Sequence, residues 1–176
     1  MTEENDFHFA EFAKPVAKHG KNRRLRTLLV LLYVFAGIAY AAIAVAITIP
    51  HLIAILPLLL WILIYFTWGL VSYECCVRVA SGKIAFLKLR GKKEKTVVTF
   101  ALKEIVYARP YTPNAPQASG VRMRDLRADE REAGYILLHK TETGEELIRF
   151  EATLAVVNAM HYYNKNVIID KDVLKI

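Results

Sequence analysis

Forty-seven consecutive residues, Thr27 to Tyr73, contain no Lys, Arg, Asp or Glu. That run is too long for one membrane crossing and suits two, because about 20 apolar residues span the hydrocarbon core of a bilayer. Pro50 and Pro57 fall near its middle, where a helical hairpin would turn. The pattern predicts one transmembrane helix over about 25–49 and a second over about 53–72, joined by Thr48-Ile49-Pro50-His51. Pro57 either kinks the second helix or opens its first turn, with Leu52 to Leu56 then in the interface. A cleavable leader is a poor reading of the first span. Its apolar run is too long, no small-residue cleavage site follows cleanly, and a second span comes at once.

Charge sets the orientation. Lys14, Lys18, Lys21, Arg23, Arg24 and Arg26 precede the first span, and Arg78, Lys83, Lys88, Arg90, Lys92, Lys93 and Lys95 follow the second. The connection carries neither Lys nor Arg. The positive-inside rule then predicts a multi-pass protein of the cytoplasmic membrane with both termini in the cytoplasm. The net charge of +7 accordingly points to anionic membrane lipids. The basic segments show no nucleic-acid-binding motif, so no nucleic acid is expected as a partner. Within the apolar run the one histidine, His51, sits at the turn, which argues against transport by this chain alone. Gly37, Ala41 and Ala44 suit a small-residue packing face against the second helix or another protein. Trp61, Tyr65 and Trp68 share one face of the second helix, for lipid or for a partner. Residues 1–24 read as a cytoplasmic tail. Phe9 and Phe12, three apart, equally suit a short interfacial helix or a clamp on the soluble domain, its length limited by Pro15 and Gly20.

From Tyr73 the pattern changes to short β-prone runs divided by turns: 73–79, 83–90, 96–100, 105–109, 135–140 and 146–150. Residues 152–163 have helical spacing, with Val156, Ala159, Met160 and Tyr163 on one side. Cys75 and Cys76 are adjacent, so in a strand they point to opposite faces. They show neither a CxxC nor a zinc spacing. They read as strand residues, with redox sensing or acylation as alternatives, and the lack of a disulfide framework fits a reducing compartment.

Two apolar helices, a first strand of the type Y-x-C-x-V, the Ser81-Gly82-Lys83 turn, a basic hairpin, the stretch TFALKEIVYARP (99–110) and the terminal helix ATLAVVNAMHYY resemble bacterial membrane proteins with a PH-like domain, of the uncharacterised DUF6106 kind. The resemblance covers approximately residues 25–165. It implies a membrane protein with a two-helix transmembrane hairpin followed by a small α+β PH-like domain over 73–176, a bent antiparallel sheet with a C-terminal helix. It implies no activity, because PH-like folds host many functions. The segment 110–134 is longer than such a compact module needs.

Three features are candidate sites. The basic hairpin Arg90, Lys92, Lys93 and Lys95 suits contact with membrane lipids, but it lacks the lysine and arginine spacing of a phosphoinositide pocket. The insert at 110–134 reads as mobile, or as a loop that orders on a partner with Tyr111, Met123 and Leu126 as anchors. His139 and His161 are too few for a metal site without further ligands. No nucleophile elbow, phosphate-binding glycine loop or HExxH is present, so no catalytic residue and no cofactor are expected. The expected function is a membrane-tethered, non-enzymatic interaction or assembly module at the cytoplasmic face, binding a protein partner or an anionic lipid surface. One alternative is an accessory subunit of a transporter or secretion complex, docking through its hairpin on an integral-membrane protein. A homo-oligomer is a further arrangement, and a membrane-bound enzyme acting on a lipid-linked substrate is the reading from another class.

Overall fold

Residues 9–113, 121–141 and 144–169 are described by a computed structural model of the chain. They divide into two compact units: Ala17–Tyr73, and Met1–Val16 together with Glu74–Ile176.

The first unit is helical. It contains α1 (Lys21–Ala46), a 3-10 turn at Pro50–Ile55, α2 (Leu56–Thr67) and a 3-10 turn at Trp68–Leu70. Asn22–Ala46 and His51–Leu70 are each long and apolar enough to cross a membrane, with mean hydropathies of 2.5 and 2.2. Pro57 lies in the first turn of α2, where its missing N–H would have no helical partner in any case, so it starts the helix and does not kink it. Polar side chains tie the two arms together. The Asn22 amide donates to the Val71 carbonyl at 3.2 Å, and the Arg26 guanidinium donates to the same oxygen at 3.0 and 3.3 Å. Further along, the Thr67 hydroxyl donates to Leu63 O, which leaves its oxygen to accept from the Tyr33 hydroxyl at 2.6 Å. Tyr40 donates to Leu52 O at 3.0 Å. In an apolar environment such internal partners replace water.

The second unit contains eight strands: β1 (Ala10–Pro15), β2 (Glu74–Ala80), β3 (Lys83–Arg90), β4 (Lys93–Ala101), β5 (Ile105–Pro110), β6 (Arg122–Asp125), β7 (Tyr135–Thr141) and β8 (Gly144–Phe150), followed by α3 (Leu154–Tyr163). They form two four-stranded sheets, β1-β2-β3-β4 and β5-β7-β8-β6. The sequence-based expectation of one bent antiparallel sheet is corrected on two counts: the strands divide between two sheets, and β6 runs parallel to β8. Ser81 and Gly82 both adopt positive φ, 51° and 73°. This is the two-residue turn whose twist matches antiparallel strands, and it sets Ala80 opposite Lys83. The core lies between the sheets and α3. Val79, Ile84, Phe86, Leu102, Leu137, Ile148, Phe150, Val156 and Met160 are all buried there. Asn164, just past α3, donates to Leu102 O and Ile105 O, fastening the helix end to the corner where the first sheet passes into the second.

Two further expectations give way. The N-terminal segment is not a tail throughout, nor an interfacial helix, because Ala10–Pro15 pairs antiparallel with β2 from Ala10↔Val79 to Pro15↔Glu74. Its period is two: Ala10 and Phe12 turn to the core while Glu11 and Ala13 are exposed. The helical unit is therefore an insertion between two neighbouring strands of one sheet. The expected mobile insert at 110–134 is ordered where it is described. β6 joins the second sheet, and Arg127 gathers the turn after it by donating to the Asp125 carboxylate and to the carbonyls of Glu130 and Glu132. Residues 114–120 of that insert lie outside the described residues.

Gly134 closes this turn at φ 64°, and a Cβ there would clash with the Phe150 carbonyl oxygen. Gly134→Ala is expected to cost about 2–4 kcal/mol by combining left-handed strain with a backbone clash. The check is a lowered denaturation midpoint of the full chain in nanodiscs; an unchanged midpoint would refute the required conformation.

Candidate functional site

The core-facing side of the first sheet is built in rows. Ala10-Val79-Ile84-Phe100 and Phe12-Val77-Phe86-Val98 are apolar and pack into the core. The next row on the same face is Lys14-Cys75-Lys88-Lys95, followed by the pair Arg90↔Lys93. The sheet thus overhangs its core at one end, and that end is cationic. It is also the end at which Pro15 and Glu74 pair, where the chain leaves for the apolar helices and returns from them. Arg90, Lys92, Lys93 and Lys95 are all exposed around the tight Gly91-Lys92 turn. The sequence identified this hairpin; the structure adds which end of the sheet carries it.

The opposite face carries an ion-pair network. Arg78 pairs with Glu11 at 3.0 Å and with Glu94 at 3.1 Å, linking β1, β2 and β4. This pairing holds the Glu11 carboxyl below its ordinary value, chiefly through the hydrogen bond from Arg78.

A cavity of about 290 Å³ opens between β1, the 132–134 turn and the start of α3. Phe12, Tyr135, Ala152 and Leu154 supply apolar wall, and Lys14, Glu132 and Glu151 supply charge. Glu151 is only 8% exposed. One of its oxygens accepts from the Asp129 N–H at 2.7 Å, and the other lies 2.9 Å from Lys14 Nζ. Glu132 reaches the same ammonium at 3.6 Å. Burial works against the charge on Lys14, but Glu151 and Glu132 together raise its pKa above the usual lysine value. Sequence reasoning missed this cavity. Lys14 was one of six flanking cations, and nothing local signals that residues more than 100 positions later would close around it.

The remaining candidates are dispersed. Gly37 faces Leu60, whose Cδ1 would lie 3.6 Å from an added Cβ. Ala44 is buried and Ala41 is half-buried. Trp61 and Tyr65 stack at 5.7 Å with both rings exposed, and Trp68 is exposed as well. Of the proposed partner-loop anchors, Leu126 packs against the main core. Tyr111 packs on Ile136, Leu138 and Leu147, with the Arg149 guanidinium 3.4 Å above its ring. Met123 remains exposed. His139 stacks on Phe100 at 3.8 Å and approaches Glu104 at 3.4 Å, whereas His161 bonds the Val167 carbonyl. Among the described residues no group of three or more His, Cys, Asp or Glu could hold a metal ion.

A family model described as a bacterial PH-like domain (DUF6106) matches residues 9–170. No curated protein and no solved structure matches the chain. The matched range takes in β1 and both apolar helices, in keeping with a domain interrupted by its own helical insertion.

Both thiols are held protonated. Burial pushes Cys75 up to about 11, with Lys88 working against it and Glu151 and Asp125 adding to it. Burial and the hydrogen bond from Cys76 to Glu11 push Cys76 up to about 12. Only thiolates alkylate or acylate readily. Iodoacetamide labelling of the native chain is therefore expected to be negligible at pH 8 and to rise steeply above about pH 10, while the denatured chain labels already near pH 8–9. Fast native labelling at pH 8 would show that these cysteines are reactive after all.

Proposed function

The chain belongs to the bacterial PH-like domain family DUF6106, and on that premise we propose that it is a membrane-tethered, non-enzymatic interaction module whose domain reads the anionic lipid surface beside it. The observation that carries this reading is the strand register. Leu89 pairs with both Glu74 and Glu94, so the basic turn begins one residue beyond the point where the chain re-enters the domain. Residues 71–73 alone separate that point from the end of the second apolar segment. Three extended residues reach about 10 Å, and Lys92 lies about 10 Å beyond Glu74 along the strands. In a bilayer-spanning arrangement these short reaches hold the tip within headgroup range. Each basic residue there contributes about 1 kcal/mol on an anionic surface.

The same connectivity supports the orientation. A helical hairpin inserted between paired strands has both ends on one side of the membrane, and the charge bias makes that side the cytoplasm. Both termini then lie inside and only the turn near His51 lies outside. Docking on an integral-membrane partner is the second reading. The exposed, stacked Trp61 and Tyr65 favour it, since Gly37 is already taken up by Leu60 within the hairpin.

Two measurements test these statements. Reporter fusions active only in the cytoplasm should be active at both termini and inactive when inserted near His51; activity at the insertion would reverse the orientation. A spin label on Lys92→Cys, in full-length protein reconstituted in nanodiscs, should report headgroup depth with anionic lipid. It should move to water in neutral lipid, in about 0.5 M salt, or when Lys93→Glu and Lys95→Glu are added. A label that stays equally water-exposed in every condition would sink the lipid-surface reading.

A further inference from the structure

The cavity bounded by β1 and the start of α3 lies at this same end of the domain, since Lys14 directly precedes Pro15, the last residue of β1. Its lining carries both signs of charge, Lys14 with Glu132 and Glu151. Lys14 has three donors. Two point to Glu151 and Glu132, which leaves a third for a ligand anion. The oxygens of Glu151 are both engaged, one by Lys14 and one by the Asp129 N–H. Glu132 is partly exposed and binds Lys14 through a single oxygen at 3.6 Å, so its second oxygen can accept from a ligand cation. A simple anion would meet two carboxylates. A simple cation would meet Lys14. A small group carrying both charges meets complementary partners at each of its ends.

We propose that this cavity binds a zwitterionic headgroup of the phosphoethanolamine type, with its phosphate beside Lys14 and its primary ammonium beside Glu132. The ammonium must carry at least one N–H, which excludes a quaternary head such as choline, because only N–H groups can donate to the Glu132 carboxylate. The apolar wall of Phe12, Ala152 and Leu154 meets the methylene groups between the two charges. The proposal rests on the reading that this end faces lipid, yet it concerns a different surface from the Arg90–Lys95 tip and is separable from it.

The test uses the full chain in phosphatidylcholine nanodiscs, with soluble glycerophosphoethanolamine as probe and saturation-transfer NMR as readout. Saturable binding is expected. Glycerophosphocholine, ethanolamine and inorganic phosphate should each bind at least fivefold more weakly. Glu132→Gln, at a partly exposed position that should fold normally, should weaken the probe at least fivefold. Replacing part of the phosphatidylcholine by phosphatidylethanolamine should compete the probe away if the membrane supplies the ligand; binding without competition would assign the same chemistry to a soluble ester. Phosphate binding as tightly as the probe, ethanolamine binding as tightly, indifference to Glu132→Gln, or no saturable signal would each overturn the assignment. The spin-label depth at position 92 in anionic nanodiscs should be unchanged by Glu132→Gln, so failure of this proposal is distinguishable from failure of the surface reading.

Discussion

Everything in the domain depends on one strand pairing that the chain makes across an interruption. β1 and β2 are neighbours in the sheet, yet residues 16–73 separate them in sequence. Closing a flexible loop of that size would carry a substantial entropic cost. The helical unit lowers it by being ordered in itself. Asn22 and Arg26, near the start of α1, bond the carbonyl of Val71 beyond α2. The two chain ends therefore emerge close together, and the effective loop shrinks to the short links at 16–20 and 71–73. Tyr33–Thr67 and Tyr40–Leu52 extend the same closure along the arms. Helix pairing and sheet closure support one another through covalent continuity.

Sheet closure then places the charges. Two apolar rows fill the core, and the third row begins with Lys14 and Cys75. A sheet ending flush with its core would have no such row. The extra length of β3 and β4 lifts Arg90 to Lys95 beyond the packed region, while the Glu11–Arg78–Glu94 network holds β1 and β4 to β2 on the other face. That network crosses three strands, which makes it more than an isolated surface pair, although exposed ion pairs are individually worth only about 0.2–1 kcal/mol.

Legibility in the sequence followed the range of the interactions. The apolar helices, the hairpin strands β2 to β4, β5, the β7–β8 pair and α3 were all readable, because each is announced by local periodicity and a nearby turn. β1 was not. Six residues holding one aromatic, with Phe9 and Phe12 at helical spacing, look like a strand only once β2 lies beside them. β6 failed for a similar reason: Arg122-Met123-Arg124-Asp125 has no apolar alternation, and its pairing with β8 is parallel and distant. Tyr111 and Leu126 looked like free anchors because the apolar residues they cover, on β7, β8 and in the core, lie elsewhere in the chain. The Lys14–Glu151 cavity combines all these difficulties, since it needs β1, the 132–134 turn and α3 together.

The flanking charge count overstates the positive charge that stands without a carboxylate beside it. Lys14 is bound to two glutamates and Arg78 to two more. In the Arg90–Lys95 turn the one acidic member, Glu94, is turned to Arg78 on the other face, and Lys92, Lys93 and Lys95 are exposed. Sequence counts treat each Lys and Arg alike, but a positive charge acts at long range only where no carboxylate stands beside it. The fold has thus divided a diffuse basic flank into two environments: an exposed cationic tip, and a cavity in which Lys14 is held by Glu132 and Glu151. The division follows from which residues β1 brings to the domain, and so returns to the pairing of β1 with β2.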